Sequence, residues 1–338
     1  MSAFPWHRAA LAAILSNRDR MPHALLVQGP SGIGKAEFAH ALAQGLLCES
    51  PRAGLACEAC SACHWFSQSN HPDYREIVPE AAEEGDDEAA EEGSKADAKK
   101  SLVIKVGQVR DVADFISLST HRAGFRVLLI RPAEAMQAAA ANALLKTLEE
   151  PPPATLIVLV ADRPARLLAT IRSRCRPLVL PMPSREEALA WLASQGIEEP
   201  AVALAFAGGA PLLALELADS AEEPLRKKVI GELSRPGGAH ALAFATGFDR
   251  PQVERTLFWM QTWVHDLVRV KTAGRARHHV DNAPALAAKA KRASLERLLD
   301  LDRELVEAKR LAGHPLNARL LAEHLMMAYN QATLPDSP

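Results

Sequence analysis

The sequence predicts an α/β core of the P-loop type, a parallel sheet with helices on both faces, followed by helical domains without strands. Three observations carry this. Short apolar runs alternate with helical patterns through the first half of the chain, as expected of a parallel sheet covered on both faces. A glycine-rich stretch, GPSGIGKA at residues 29–36, follows the first apolar run and opens a helical pattern, the context in which backbone N–H groups curl around phosphate. Beyond residue 181 the strand signal stops, and the patterns from residue 184 onward are all helical.

Composition permits this architecture and narrows the function classes. The chain has 338 residues, of which 48% are hydrophobic, enough to bury more than one core. Its formal charge of −2 supplies no global attraction to nucleic acid or to a membrane surface, so any basic surface has to be local. No apolar run approaches the roughly 18 residues that span a bilayer. The opening stretch, MSAFPWHRAALAAILSNRDRM, is too interrupted by charge for a signal peptide. A cytoplasmic protein without membrane contact is expected.

Taken in order, the strands expected are HALLVQ at residues 23–28, RVLLIR at 126–131 and TLIVLVA at 155–161, each bounded by Gly, Pro or charge. Helices are expected over residues 36–47, 107–118 and 134–148. Between them, residues 80–100 are dense in acid and poor in large apolar side chains. They cannot bury enough surface to offset ordering, and a disordered loop is expected. Short amphipathic helices are expected to about residue 219, then longer ones over 251–272 and 284–312. Trp259, Met260 and Trp263 fall on a core stripe. The basic stretch RVKTAGRARHH at residues 269–279 reads as a solvated connection.

The phosphate loop is incomplete. Gly29, Gly32, Gly34 and Lys35 are in place to cradle and pair with phosphates, but Ala36 stands where a Ser or Thr hydroxyl would coordinate Mg²⁺. The run VLLI ends on Arg131 and Pro132 and not on a metal-holding acid. Glu134 reads better as a first-turn residue complementing a helix dipole than as a substitute acid. Hydrolysis of ATP with Mg²⁺ is not expected at this site. Lys35 and Arg131 are left as cations able to attract a phosphate without metal.

Four of the five cysteines, Cys48, Cys57, Cys60 and Cys63, crowd into sixteen residues, the spacing of a short loop that wraps one tetrahedral ion. Structural zinc fits four soft ligands, which leave no open position for catalysis. The CxxCxxC run also occurs in iron-sulfur proteins, but here the fourth cysteine lies upstream and lacks the proline of the ferredoxin run. His64 and His71 lie nearby and are expected at the surface.

Three stretches, RMPHALLVQGPSGIGK (residues 20–35), ANALLKTLEEPPP (141–153) and IRSRCRPL (171–178), together with the cysteine insertion after the P-loop helix, resemble the bacterial clamp-loader subunits of the AAA+ class. SRC beside a defective nucleotide site is similar to the delta-prime members of that class and unlike the gamma/tau motors. The resemblance implies an AAA+ core over residues 1–182, with its zinc module at 48–63, a helical lid at 183–222 and a helical collar at 223–338. It implies a five-membered ring with gamma/tau and delta subunits that uses ATP held by the motors to open a sliding clamp and load it on primed DNA. In the SRC motif, Ser173, Arg174 and Cys175, the resemblance casts Arg174 as an arginine finger reaching the ATP of an adjacent subunit, a role that suits a guanidinium. Arg172 and Arg176 flank it, and the motif selects Arg174. The plainer alternative pairs Arg174 with a local carboxylate. In the lid, Pro211 and Leu212 occupy the neighbourhood where active relatives carry a nucleotide-sensing arginine. Two other functions compete: an active gamma/tau-like ATPase, and a zinc-bearing DNA-binding adaptor.

Overall fold

A computed structural model describes residues 3–81, 101–117, 124–218, 223–236, 238–246, 252–311 and 317–333. The chain divides into two compact units, residues 1–184 and 185–338. The acidic loop expected at 80–100 lies, from residue 82 on, outside the described residues.

The first unit contains α1 (Arg8–Leu15), β1 (Ala24–Gln28), α2 (Lys35–Leu47), α3 (Ser61–Ser67), β2 (Tyr74–Ile77), α4 (Val106–Ser117), β3 (Arg126–Ile130), α5 (Ala138–Glu149), β4 (Thr155–Ala161), α6 (Ala169–Arg172) and β5 (Arg176–Val179). The five strands form one sheet in the order β2-β3-β4-β1-β5, and all its pairings are parallel. Successive strand side chains point to opposite faces. Leu26, Leu128, Ile130, Ile157 and Leu159 pack with Val109 and Ile116 of α4, Ala140, Leu144 and Leu148 of α5, and Ile171 of α6. The alternate residues, among them Val27, Leu129 and Val158, are buried on the other face, where α2 packs against β1, β3 and β4. Burial on both faces is why these strands read as continuous apolar runs, each large aliphatic contributing about 1.5–3 kcal/mol. The α/β core therefore has the layering expected for it, a parallel sheet with helices on both faces. Gly45 lets α2 approach α1 closely, since a Cβ there would sit 2.5 Å from Leu15 Cδ1.

Several boundaries differ from expectation for local reasons. β2 and β5 are short and punctuated, YREI by charge and RPLV by proline, so neither stood out by periodicity. β5 is an edge strand, where Pro177 is tolerated. The helix expected from residue 134 begins at Ala138, because residues 133–135 form a separate 3₁₀ turn and Gln137 is extended (φ −63°, ψ 155°).

The second unit is all α: α7 (Arg185–Ser194), α8 (Pro200–Phe206), α9 (Pro211–Leu217), α10 (Glu223–Ser234), α11 (Ala241–Thr246), α12 (Val253–Ala273), α13 (Ala283–Arg292), α14 (Leu295–Leu311) and α15 (Ala318–Thr333). α12 packs against α10, α13 and α14. Trp259, Met260 and Trp263 are buried, as their stripe implied. Trp263 Nε1 donates to Tyr329 Oη at 3.0 Å, and that hydroxyl donates to Leu233 O at 2.6 Å, tying α12, α15 and α10 together. The single helix expected over 284–312 is two helices. Ala293 turns extended (φ −65°, ψ 143°), and Ser294 Oγ accepts from Arg297 N–H at 3.4 Å at the start of α14. Among the described residues no single helix is long and apolar enough to cross a membrane.

The basic stretch 269–279 is not a free connection. Its first residues complete α12, which Gly274 ends in the left-handed conformation (φ 71°). The rest is pinned by Asp266, a fully buried carboxylate that accepts from the backbone N–H groups of Arg277 (2.7 Å), His278 (2.9 Å) and His279 (2.6 Å). Burial pushes His279 down to about 4, so it is neutral at pH 7 beside Thr262 Oγ1 at 3.0 Å. Asp266→Ala would strand these donors, and a loss of about 3 kcal/mol or more is expected in urea unfolding. An unchanged midpoint would show that the carboxylate is dispensable.

Candidate functional site

The glycine-rich loop leaves β1 and opens α2, as its sequence required. A Cβ at Gly29 would lie 2.4 Å from Leu180 O, so only glycine passes the end of the neighbouring strand. Gly32 (φ 76°) and Gly34 (φ 87°) are left-handed, and Gly34 is the N-cap of α2. The N-terminal segment clamps the loop from outside: Trp6 Nε1 donates to Ile33 O at 2.9 Å, and His7 Nε2 lies 2.8 Å from the same carbonyl. Burial lowers the His7 pKa and favours the neutral ring.

Lys35 is only 5% exposed, and its Nζ is engaged from within the chain, 2.5 Å from Pro30 O and 2.5 Å from Asp162 Oδ1. Asp162 follows β4 directly, and β4 is hydrogen-bonded to β1 with Ala161 opposite Gln28. The backbone N–H groups of Asp162 and Arg163 donate to Glu134 Oε1, each at 3.0 Å. Glu134 does lie in a first turn, that of the 3₁₀ segment. Its carboxylate fixes the turn after β4.

Arg131 is likewise not an open cation. It is ion-paired with Glu76 of β2, which also contacts His40 Nε2 at 3.0 Å and accepts from Tyr74 Oη at 3.1 Å. Burial of Glu76 opposes ionisation, but the His40 bond and charge, with Arg131, outweigh it and hold the carboxyl at about 2. Both cations that the sequence left able to attract a phosphate are thus paired with carboxylates of the chain itself. The physical reason is the sheet order, which brings Asp162 at the end of β4 beside the loop after β1, and Glu76 of β2 beside Arg131 after β3. Both acids stand at or near the carboxyl ends of parallel strands, where such folds place ligands. ADRP after the run TLIVLV was the one signal that pointed to Asp162. Neither Glu76 nor His40 had any.

The SRC residues face three ways. Ser173 Oγ donates back to Thr170 O at 3.1 Å. Cys175 is buried in the core, and burial pushes its thiol up to about 11. Arg174 turns outward, 35% exposed, donating to Glu149 Oε1 at 2.6 Å and Thr170 O at 3.1 Å. Thus the local carboxylate weighed as a partner for this arginine exists, and it is supplied by the LEEPPP stretch. Arg172 and Arg176 are exposed.

The four cysteines converge. Their sulfurs all lie within 4.8 Å of one another, and Cys48 Sγ is 3.9 Å from Cys60 Sγ. Four sulfurs held at about 2.3 Å around a tetrahedral ion stand about 3.8 Å apart, so the cage fits such an ion. Backbone N–H groups point at the sulfurs: Cys57 to Cys48 at 3.2 Å, Cys60 to Cys57 at 3.3 Å and Cys63 to Cys60 at 3.5 Å. The Ala59 backbone hydrogen bond is the main cause that draws Cys57 down to about 6, while burial pushes Cys48 and Cys63 up. A bound dication reverses that upward push, because it takes the thiolate. His64 is exposed as expected. His71 is instead buried, its Nδ1 accepting from Asp73 N–H at 3.1 Å.

The chain matches the family model described as DNA polymerase III, delta subunit, over residues 9–184, and the model for the C-terminal part of that subunit over residues 224–331. It is 40% identical to DNA polymerase III subunit delta' of Pseudomonas aeruginosa over 231 residues, covering 67% of this chain and 65% of that one. It is 31% identical to the Escherichia coli K12 protein of the same description, covering 82% and 78%, and 28% identical to that of Yersinia pestis, covering 98% and 96%. The match to the Pseudomonas relative thus spans just under two thirds of that protein's length. Among solved structures, a DNA polymerase III gamma subunit-related protein of Thermotoga maritima aligns at 18% identity with a TM-score of 0.46, covering 96% of this chain and 99% of that one. With a family match over more than half its length, the chain belongs to the delta-prime family of DNA polymerase III subunits.

Proposed function

We propose that this chain is the non-hydrolysing member of a clamp-loading ring in the cytoplasm, supplying Arg174 in trans to the ATP of a neighbouring motor subunit. One observation carries the reading. Lys35 of its own phosphate loop is buried, 5% exposed, against Asp162, whereas Arg174, though paired with Glu149, is 35% exposed and its partner 51% exposed. An exposed ion pair of that kind is worth about 0–1 kcal/mol. It yields readily to a triphosphate.

In this reading Ala36 leaves Mg²⁺ without its loop hydroxyl, and Arg131 stands where an acid is needed. The chain's residues therefore position a finger and do not activate water. The helices after residue 182 act as a lid (183–222) and a collar (223–338) that docks gamma/tau and delta subunits in a five-membered ring. Contact with the sliding clamp and primed DNA is made through that complex. Cys48, Cys57, Cys60 and Cys63 hold one structural zinc ion, which fastens the loop before α3 and takes no part in the chemistry.

The test is ATP turnover by the purified chain with Mg²⁺. No turnover above background is expected, and none on restoring the hydroxyl with Ala36→Ser, since the acid is still missing. Brisk hydrolysis by the isolated chain would instead identify a motor.

A further inference from the structure

We infer that Asp162 is a resident anion of the phosphate loop, occupying Lys35 in place of a nucleotide's phosphates and thereby keeping polyphosphate out. This rests on reading residues 29–36 as a phosphate loop retired from hydrolysis, and it concerns binding rather than turnover.

Lys35 is the starting point. An ammonium that is 5% exposed has lost most of its water and needs a fixed counter-charge. Asp162 Oδ1 supplies it at 2.5 Å. The loop's own Pro30 O, also at 2.5 Å, takes a second donor of the ammonium. Two of the ammonium's three donors are thus engaged within the chain, and a phosphate has to compete with these contacts.

Asp162 does not reach Lys35 by chance of a flexible side chain. β4 lies beside β1, so the first residue after β4 emerges next to the loop that follows β1. Glu134 then fixes the turn through the Asp162 and Arg163 amides. The Asp162 side chain is 42% exposed, at the boundary between Lys35 and solvent. A polyphosphate arriving there meets a carboxylate first. Even after displacing it, the ligand is left with a like charge a few ångströms away.

The neutral, nearly isosteric Asp162→Asn removes the charge and keeps the shape, and Asp162→Ala removes both. Binding is measured with a fluorescent ATP analogue and with inorganic tripolyphosphate, first in EDTA and then with Mg²⁺. Both variants are expected to bind both probes at least about tenfold more tightly than the parent chain in EDTA. The gain should vanish when Lys35→Ala is added. Equal affinities in parent and variants would overturn the inference, as would a gain that survives loss of Lys35. So would tight Mg²⁺-dependent binding by the parent chain that Asp162→Asn abolishes, because Asp162 would then be a metal ligand. ATP hydrolysis by the parent chain refutes the proposed function instead, so the two failures are told apart.

Discussion

Arg174→Ala is expected to lower ATP turnover at the neighbouring motor site by about 10³-fold or more, the scale on which a guanidinium stabilises a transferring phosphoryl group. Assembly of the ring should be intact, because the Arg174 side chain contributes surface contacts to its own fold, an exposed pair with Glu149 and hydrogen bonds to Thr170 O and Ser173 Oγ. Arg174→Lys should restore little. A lysine carries the charge but lacks the planar fork that meets two oxygens at once. Neighbouring Ser173 and Cys175 sharpen the test, since one is turned back onto α6 and the other is buried, leaving the arginine as the member of the motif able to reach outward. The measurement is turnover of a reconstituted loader containing the variant chain, with incorporation checked by gel filtration. Full turnover in a loader that demonstrably contains the alanine chain removes the finger from the account.

The second large effect concerns the cysteine cage. The purified chain is expected to carry about one zinc ion, and Cys63→Ser to lose it. Zinc binding in small cysteine-ligated peptides is worth about 10–16 kcal/mol, so its loss should unravel the loop between α2 and α3. The damage should spread, because Cys60 caps α3 and Phe66 of that helix packs on Tyr74 at 4.7 Å. Tyr74 belongs to the strand that presents Glu76 to Arg131. A melting temperature lowered by several degrees and protease cleavage within residues 48–63 are therefore expected. Iron in place of zinc by elemental analysis, or a Cys63→Ser chain as stable as its parent, defeats the structural-zinc reading.

Much of the core was legible because its signals are local. Strands buried on both faces must be apolar throughout, so residues 126–130 and 155–161 announce themselves. Gly32 and Gly34 mark left-handed turns that few other residues adopt. The cysteine spacing encodes a cage whose members lie within one loop. Where elements are short or mixed the signal fails. β2 has four residues, two of them charged, and it was missed together with the acid it carries. The break between α13 and α14 was missed as well, since Ala293 is a good helix former and only the chain path requires it to be extended.

By itself, the sequence determined which chemical groups the site has and lacks: Lys35 without a hydroxyl after it, Arg131 without an acid, four clustered thiols and an SRC arginine. Tertiary structure alone decided what those groups do to one another. Lys35 meets Asp162, Arg131 meets Glu76 and Arg174 meets Glu149. The physical reason is that charge pairing is set by distance in space, and a parallel sheet ordered β2-β3-β4-β1-β5 makes neighbours of strands that are far apart in the chain.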